Sequence, residues 1–301
     1  MERIIKGIKN PGEAARYVSR DLWKRVLNSY YLFNNVPEYS VWDDWDLCII
    51  LDACRPDVLA ECAADFDFIP EDVPKRRSNA SQSNQWMERN FTPEYANYLA
   101  ETTYVTGNPY TSQVDTSGFD AVDEVWTYAW SDELGTQPPG PLTDRAVDIG
   151  RNESPKRLLV HYMQPHFPSI PVNLGSKIDL DRFGEGGGTD IFPRLRRGEL
   201  THDEVWHAYR ENCKYVLNSV ETLLENYDAE TAIITADHAN AFGEKGIYRH
   251  PEDVKTEAVR TVPWVETSAV DHGMYEPKSY DSSAVDPGVE ERLRRLGYRD
   301  P

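Results

Sequence analysis

Lysine is scarce in this chain. Of 301 residues only 10 are Lys, against 22 Arg, and these 32 cations face 51 Asp and Glu for a net charge of −19. That balance excludes a general nucleic-acid binder, because phosphate recognition needs a basic face. An acidic exterior poor in lysine fits a protein that stays dispersed at high salt, where screening shortens self-repulsion; an ordinary acidic protein is the plainer alternative. Cysteine is equally sparse. The four, at 48, 54, 62 and 213, form no CxxC pair and no zinc spacing, and read as reduced core thiols of a cytoplasmic protein. No apolar run approaches the roughly 18 residues of a membrane span, and the first residues lack the apolar centre of a secretion signal. Apolar material itself is not lacking: 40% hydrophobic and 11% aromatic residues suffice for a real core and exclude a disordered chain.

The apolar residues are grouped. "LCIIL" (47–51), "TTYVT" (102–106), "RLLVHYM" (157–163) and "TAIIT" (231–235) are short continuous runs, the pattern of strands buried on both faces in a parallel sheet. Helical patterns lie between them: "RPDVLAECAA" after the first run, "SNQWMERNF" and "TPEYANYLAE" before the second, "PLTDRAVDIG" before the third. Residues 201–227 are the longest helix candidate. Val205, Ala208, Tyr215, Val216, Val220, Leu223, Leu224 and Tyr227 follow a 3.6 period, and Thr201 with Glu204 makes a capping box. Alternating strands and helices predict an α/β fold with a doubly wound, mostly parallel central sheet and helices on both faces. "RFGEGGGTD" (182–190) and the Pro-rich segment 137–141 read as loops. Residues 1–31 carry seven basic side chains against three acidic ones, reversing the local sign. Residues 1–40 are read as peripheral helices covering the sheet, with contact to an anionic inner membrane surface or a partner as the alternative; residues 41–301 form the main domain.

In an open parallel sheet, ligands bind outside the carboxyl ends of the strands. Asp52 closes "CIILD", His166 follows "LLVHYMQPH", and Asp237 and His238 follow "AIITA"; His250 lies a dozen residues on. One Asp after a strand is an ordinary helix cap. Three strands presenting oxygen and nitrogen ligands at one edge point to a divalent metal, Zn²⁺ or Mn²⁺ first, with Mg²⁺ or Ca²⁺ as further options. His202 and His207 read as solvated, His272 as a loop residue, and His161, inside its strand, as a hydrogen-bonded core or supporting residue.

The motifs carry a resemblance. "IILDACRPDVL" is similar to the first-strand signature of the alkaline phosphatase/sulfatase superfamily, nearest the form seen in nucleotide pyrophosphatase/phosphodiesterases. "ITADHANAFGEKGIYRHP" resembles the "DHG…GE.G…H" segment of phosphoethanolamine transferases and lipoteichoic acid synthases, and "HYMQPHFP" resembles the sulfatase "H.PH.P" segment. The tail "VEERLRRLGY" resembles those of sulfatase-like proteins from salt-adapted microbes. The resemblance spans roughly residues 40 to 300. It implies that Asp52, Asp237 and His238 ligate one metal, and that His166 and His250 bind the transferred group's oxygens or a second metal. It also implies a nucleophile at a helix start between the first two strands, where "SNASQSNQW" (78–86) lies. Ser81 is the first choice, on its spacing to Trp86, and Ser83 the second, since it fits a helix N-cap equally well.

The departures are informative. No C-x-P-x-R motif supplies the formylglycine of sulfatases, and "CRPDV" lacks its Arg. Ala53 stands where sulfatases carry a second Asp, and "DHAN" replaces "DHGE", with Ala239 and Asn240 for Gly and Glu. The expectation is therefore metal-dependent phosphoryl transfer by a serine on a small-molecule, glycan-linked or lipid-linked phosphoester. A sulfuric-ester hydrolase without formylglycine is the alternative within the fold, and an inactive metal- or phosphate-binding scaffold the alternative outside catalysis.

Overall fold

The computed structural model describes residues 22–281 apart from 32, 35, 181, 182 and 184–187. The "VEERLRRLGY" tail and most of the basic N-terminal stretch lie outside the described residues. Residues 22–31 are helical and are called α1.

The apolar runs are strands. β1 (Leu47–Leu51), β3 (Thr102–Thr106) and β5 (Arg157–Tyr162) are buried at every position. β6 (Ala229–Thr235) is buried over its last four residues. Each strand must fill two cores, one per face, which is why no polar alternation shows in the sequence. In β1, Leu47, Ile49 and Leu51 enter one cluster while Cys48 and Ile50 enter the other. The larger cluster is closed by α2 (Pro56–Ala60), α4 (Pro139–Asn152) and α5 (His202–Leu224). The smaller is closed by α3 (Ser83–Asn90) and by Trp42 and Trp45, whose rings stack at 5.7 Å.

Three further strands complete a seven-stranded sheet: β2 (Lys75–Arg77), β4 (Ala121–Glu124) and β7 (Thr261–Ala269), in the order β2-β7-β6-β1-β5-β3-β4. β6, β1, β5, β3 and β4 run parallel, and β7 and β2 are antiparallel at one edge. The sheet is mixed, mostly parallel and flanked by helices on both faces. β1 sits between β5 and β6, both of which come much later in the chain. The connections therefore diverge there and leave a crevice at its carboxyl end.

The helices correct several local expectations. α5 begins on the Thr201–Glu204 capping box, with both reciprocal bonds formed, but stops at Leu224. Tyr215, placed on its apolar face by period, is 38% exposed; Tyr209, Cys213 and Leu217 fill the inward face instead. "TPEYANYLAE" yields only a 3₁₀ turn, Pro93–Tyr95, and a four-residue helix, Ala96–Leu99. Segment 137–141 is no loop throughout: α4 starts at Pro139, where the missing N–H is harmless. Of the glycine cluster, Gly188–Thr189 pairs with Lys177–Ile178 in a short ribbon; the rest of the cluster falls largely outside the described residues. All four cysteines are free and buried.

Candidate metal and phosphoester site

The carboxyl ends of β1, β5 and β6 converge because their register is direct: Leu51 faces Tyr162 across one pair and Ile50 faces Thr235 across the other. Asp52 leaves β1 and Asp237 leaves β6 side by side. The chain turns at Ala53 with φ 59°, a left-handed conformation uncommon for a residue with a Cβ. That turn aims the Ala53 N–H at Asp237 Oδ1 (3.0 Å), which also accepts from the His238 N–H (2.8 Å). Asp52 Oδ2 accepts from Asn108 Nδ2 (2.9 Å) and Ser83 Oγ (3.3 Å).

Each of these groups leaves one atom over. Asp52 Oδ1, Asp237 Oδ2 and His161 Nε2 are buried with no hydrogen-bond partner. Buried polar atoms are paired in the great majority of cases, so three orphans in one spot call for a ligand. Asp52, His161 and Asp237 each offer one ligand atom, and these lie within 4.8 Å of one another. His238 adds a fourth. Its Nδ1 faces the Ala239 carbonyl at 3.0 Å, which can only accept, so Nδ1 carries the proton. The Nε2 lone pair then points at Asp237 Oδ2 (3.4 Å) and Asp52 Oδ1 (3.7 Å). Two carboxylates and the His161 imidazole around one point, with His238 Nε2 against both acids, fit a borderline divalent cation such as Zn²⁺ or Mn²⁺.

The electrostatics agree. Burial, then the neighbouring Asp237 charge, push the Asp52 carboxyl well above its ordinary range. Burial also works to raise Asp237, but His238, His161, the Ser83 hydroxyl and the Ala53 N–H outweigh it and hold Asp237 below the usual value. Desolvation lowers His161 to about 4, so its ring is neutral and free to donate a lone pair.

The two candidate serines part company here. Ser81 is fully buried and its hydroxyl bonds Gln85 Oε1 at 3.1 Å; it faces none of the acids. Ser83 opens α3, and its Oγ lies 3.3 Å from Asp52 Oδ2 and 3.4 Å from His238 Nε2. The N-cap position belongs to Gln82. Ser83 also lines an 870 Å³ cleft that reaches Asp52, Asn108, His166 and His250.

His166 and His250 meet beside His238, Nε2 to Nε2 at 3.1 Å. His166 Nδ1 donates to the Phe167 carbonyl at 2.6 Å, which leaves its Nε2 as acceptor and assigns the shared proton to His250. Desolvation, then His238 and Arg249, lower His166 to about 4; desolvation, then His238 and His166, hold His250 well below its usual value. The His250 ring stacks on His238 at 4.4 Å between centroids. Cys54 is fully buried and its thiol turns to the Arg55 carbonyl, away from the cleft.

No family model matches the chain, and no curated protein matches its sequence. Solved structures do. The chain is similar to the soluble domain of lipooligosaccharide phosphoethanolamine transferase A from Neisseria meningitidis, at 12% identity over 75% of this chain and 78% of that one, with a TM-score of 0.48. It is similar to the C-terminal periplasmic domain of EcEptC from Escherichia coli, in complex with Zn, at 12% over 87% and 85%, TM-score 0.48. It is similar to a candidate sulfatase from Bacteroides thetaiotaomicron, at 14% over 86% and 72%, TM-score 0.46. These neighbours are members of the alkaline phosphatase/sulfatase superfamily. No helix among the described residues is long and apolar enough to cross a membrane.

Two site residues escaped sequence reasoning as such. Asn108 follows "TTYVTG", so the end-of-strand rule that found Asp52 reaches it too. His161 gave no such signal. Its Nδ1 meets the Tyr104 hydroxyl at 2.9 Å and its Nε2 lies 3.8 Å from Asp237 Oδ2, a placement that depends on strand pairing alone. Asn240 is fully buried with both side-chain polar atoms unpartnered.

Proposed function

We propose that this chain is a metal-dependent phosphoryl-transfer enzyme with Ser83 as its nucleophile. One observation carries the reading: the Ser83 hydroxyl, at the first turn of α3, lies against Asp52 and His238 amid buried ligand atoms that have no hydrogen-bond partner among the described residues. Asp52, Asp237 and His238 would hold the cation, with His161 Nε2 as a fourth ligand. Bound there, a divalent ion lowers the pKa of a nearby hydroxyl and offsets charge on the transferred group.

The chain's own residues do the rest. Ser83 Oγ forms a bond to phosphorus as the ester P–O bond breaks, and Asp52 Oδ2, 3.3 Å away, takes the hydroxyl proton. The α3 N-terminus favours the negative charge that develops. His250 Nε2–H, on a ring kept neutral by burial, donates a hydrogen bond to an oxygen of the transferred group, and the leaving oxygen takes its proton from solvent water. His166 is fixed for this by its bond to the Phe167 carbonyl, and its backbone N–H donates to the Asp52 carbonyl at 3.1 Å. Water or an acceptor alcohol then resolves the phosphoserine. Cys54, buried and turned away, cannot take the nucleophile's place, which favours phosphoric over sulfuric esters.

The test is a pair of variants on a panel of a phosphomonoester, a phosphodiester and a sulfate ester, with Mn²⁺ or Zn²⁺ added. Ser83→Ala should lose roughly 10³-fold or more in turnover, with bound metal retained, while Ser81→Ala keeps most of it. Equal turnover in Ser83→Ala and the unaltered protein would remove the assignment.

A further inference from the structure

Helix α1 has two apolar faces, and only one is packed against the other described residues. Leu27 packs against the cluster of Ala241, Ile247, Val254 and Val259, and Tyr31 is 7% exposed. Trp23 Nε1 donates to the Lys245 carbonyl at 2.9 Å, and Asn28 exchanges bonds with the backbone of Asp253 and Lys255. The helix is therefore tied to the body along one side. On the other side Leu22, Val26, Tyr30 and Phe33 are 62%, 52%, 62% and 90% exposed. At 100° per residue these four share an arc of about 80°. Stripes of this kind are seldom left bare on a monomer.

Beside the stripe is a 740 Å³ cavity whose walls include Tyr30, Tyr31, Lys75, Arg76, Arg77 and Lys245. Its acids are largely engaged: Asp57 and Glu244 both pair with Arg55, leaving Glu257. Arg76 pairs with Asp43 at 2.9 Å. Behind the cavity, Glu38 alone serves Lys255 (3.0 Å), Arg77 (3.8 Å) and Arg260 (3.9 Å). Arg77 Nε and Thr256 Oγ1, both more than nine-tenths buried and both on residues lining the cavity, have no hydrogen-bond partner. In a chain of net charge −19, this is a local excess of cations with unmet donors.

We propose that α1 docks on an anionic phospholipid surface, its stripe entering the acyl boundary and the adjacent cavity receiving a headgroup phosphate. Charge complementarity selects this occupant. The first 31 residues carry seven basic and three acidic side chains, and the rest of the molecule repels an anionic surface, so attachment must be local and apolar as well as electrostatic. Trp23 and Lys24 also line the catalytic cleft, so docking sets the mouth of that cleft at the headgroup layer. The inference does not depend on the catalytic reading, since its readout is lipid binding.

The full chain is floated with vesicles of phosphatidylglycerol and phosphatidylcholine, and separately with phosphatidylcholine alone, at low and high salt. Binding to the anionic vesicles should exceed binding to the neutral ones roughly tenfold at low salt. Val26→Asp with Phe33→Asp should lose about tenfold on both, with circular dichroism and turnover unchanged. Lys75→Glu with Lys245→Glu should abolish the preference for anionic lipid and its salt dependence while keeping the residual apolar binding. Three results overturn the proposal: no flotation with anionic vesicles, a solution dimer that the Val26→Asp/Phe33→Asp variant dissociates, or a marked fall in thermal stability of that variant, which would mean the chain itself covers the stripe.

Discussion

Asp46 and Asp52 flank the same five-residue strand, and their surroundings are opposite. Asp46 stitches three strands together: its N–H donates to the Thr231 carbonyl (2.9 Å), its carbonyl accepts from Leu158 N–H (2.8 Å), and its Oδ2 accepts from Thr231 N–H (2.9 Å). At the same end Arg157 stacks on Trp45 at 3.9 Å, and Asp271 closes the sheet in a bidentate pair with Arg151 (2.7 and 2.8 Å). At the carboxyl end, Asp52, Asp237 and His161 are held by their neighbours through one atom each, and the other atom is left bare. A half-buried acid tied to a backbone N–H or an arginine, as Asp46 and Asp271 are, serves the fold. A buried acid kept half-satisfied lowers stability unless something from outside the chain completes it.

The largest effect expected from this contrast is on turnover. Asp237→Asn keeps the Oδ1 contacts but removes the charge, and should lose bound metal and several kcal/mol of transition-state stabilisation, about 10³-fold in rate. Asp46→Asn should leave turnover within about twofold and lower stability by about 1 kcal/mol. Equal turnover in the two variants would erase the distinction between the strand ends. Next is the metal itself. Removing it with a chelator should lower the melting temperature, and restoring it at a hundredfold excess over its Kd should return about 2.7 kcal/mol. Asp237→Asn should show no such response in a thermal scan.

The pH dependence of the metal-free protein sharpens the comparison further. Asp52 has a raised folded pKa. The unfolded chain therefore ionises first, and stability present below about pH 4 is lost as pH rises toward the folded value. His166, lowered to about 4, works the other way: its contribution is full above about pH 6.5 and is lost as pH falls through 4. Asp52→Asn should therefore raise the metal-free melting temperature at pH 8 by a few degrees and leave it unchanged at pH 4. The smallest effect belongs to the other end. Asp271 is held at about 2 by Arg151, so its stabilisation is present above about pH 4 and lost as pH falls through 2. Screened by solvent, it is worth about 1 kcal/mol, and Asp271→Asn should show that loss at pH 7 and not at pH 2.

Much of this was legible along the chain. Strands buried on both faces announce themselves as unbroken apolar runs, and a residue that ends such a run at the carboxyl side stands at the crevice wherever the sheet is parallel. That reasoning reached Asp52, Asp237 and His238. It did not find β7, next to the edge strand β2, whose "TVPWVETSA" mixes buried and exposed positions. It also ranked Ser81 ahead of Ser83, whereas it is Ser83 that lies against Asp52 and His238. The two serines are two residues apart in a polar stretch, and the decision falls to where α3 begins and to Gln85, which takes the Ser81 hydroxyl.

By itself the sequence determined what is periodic or terminal: the strands, the capped long helix, the acids at strand ends and the scarcity of lysine. Tertiary structure alone decided what lies across thirty or more residues of chain. It set His161 beneath Asp237, turned Ser83 toward Asp52, and left one face of α1 bare beside a basic cavity. The physical reason is that local pattern records which face of an element is apolar, whereas the atoms that meet at a site are chosen by strand register and by the packing of elements that share no neighbourhood in sequence.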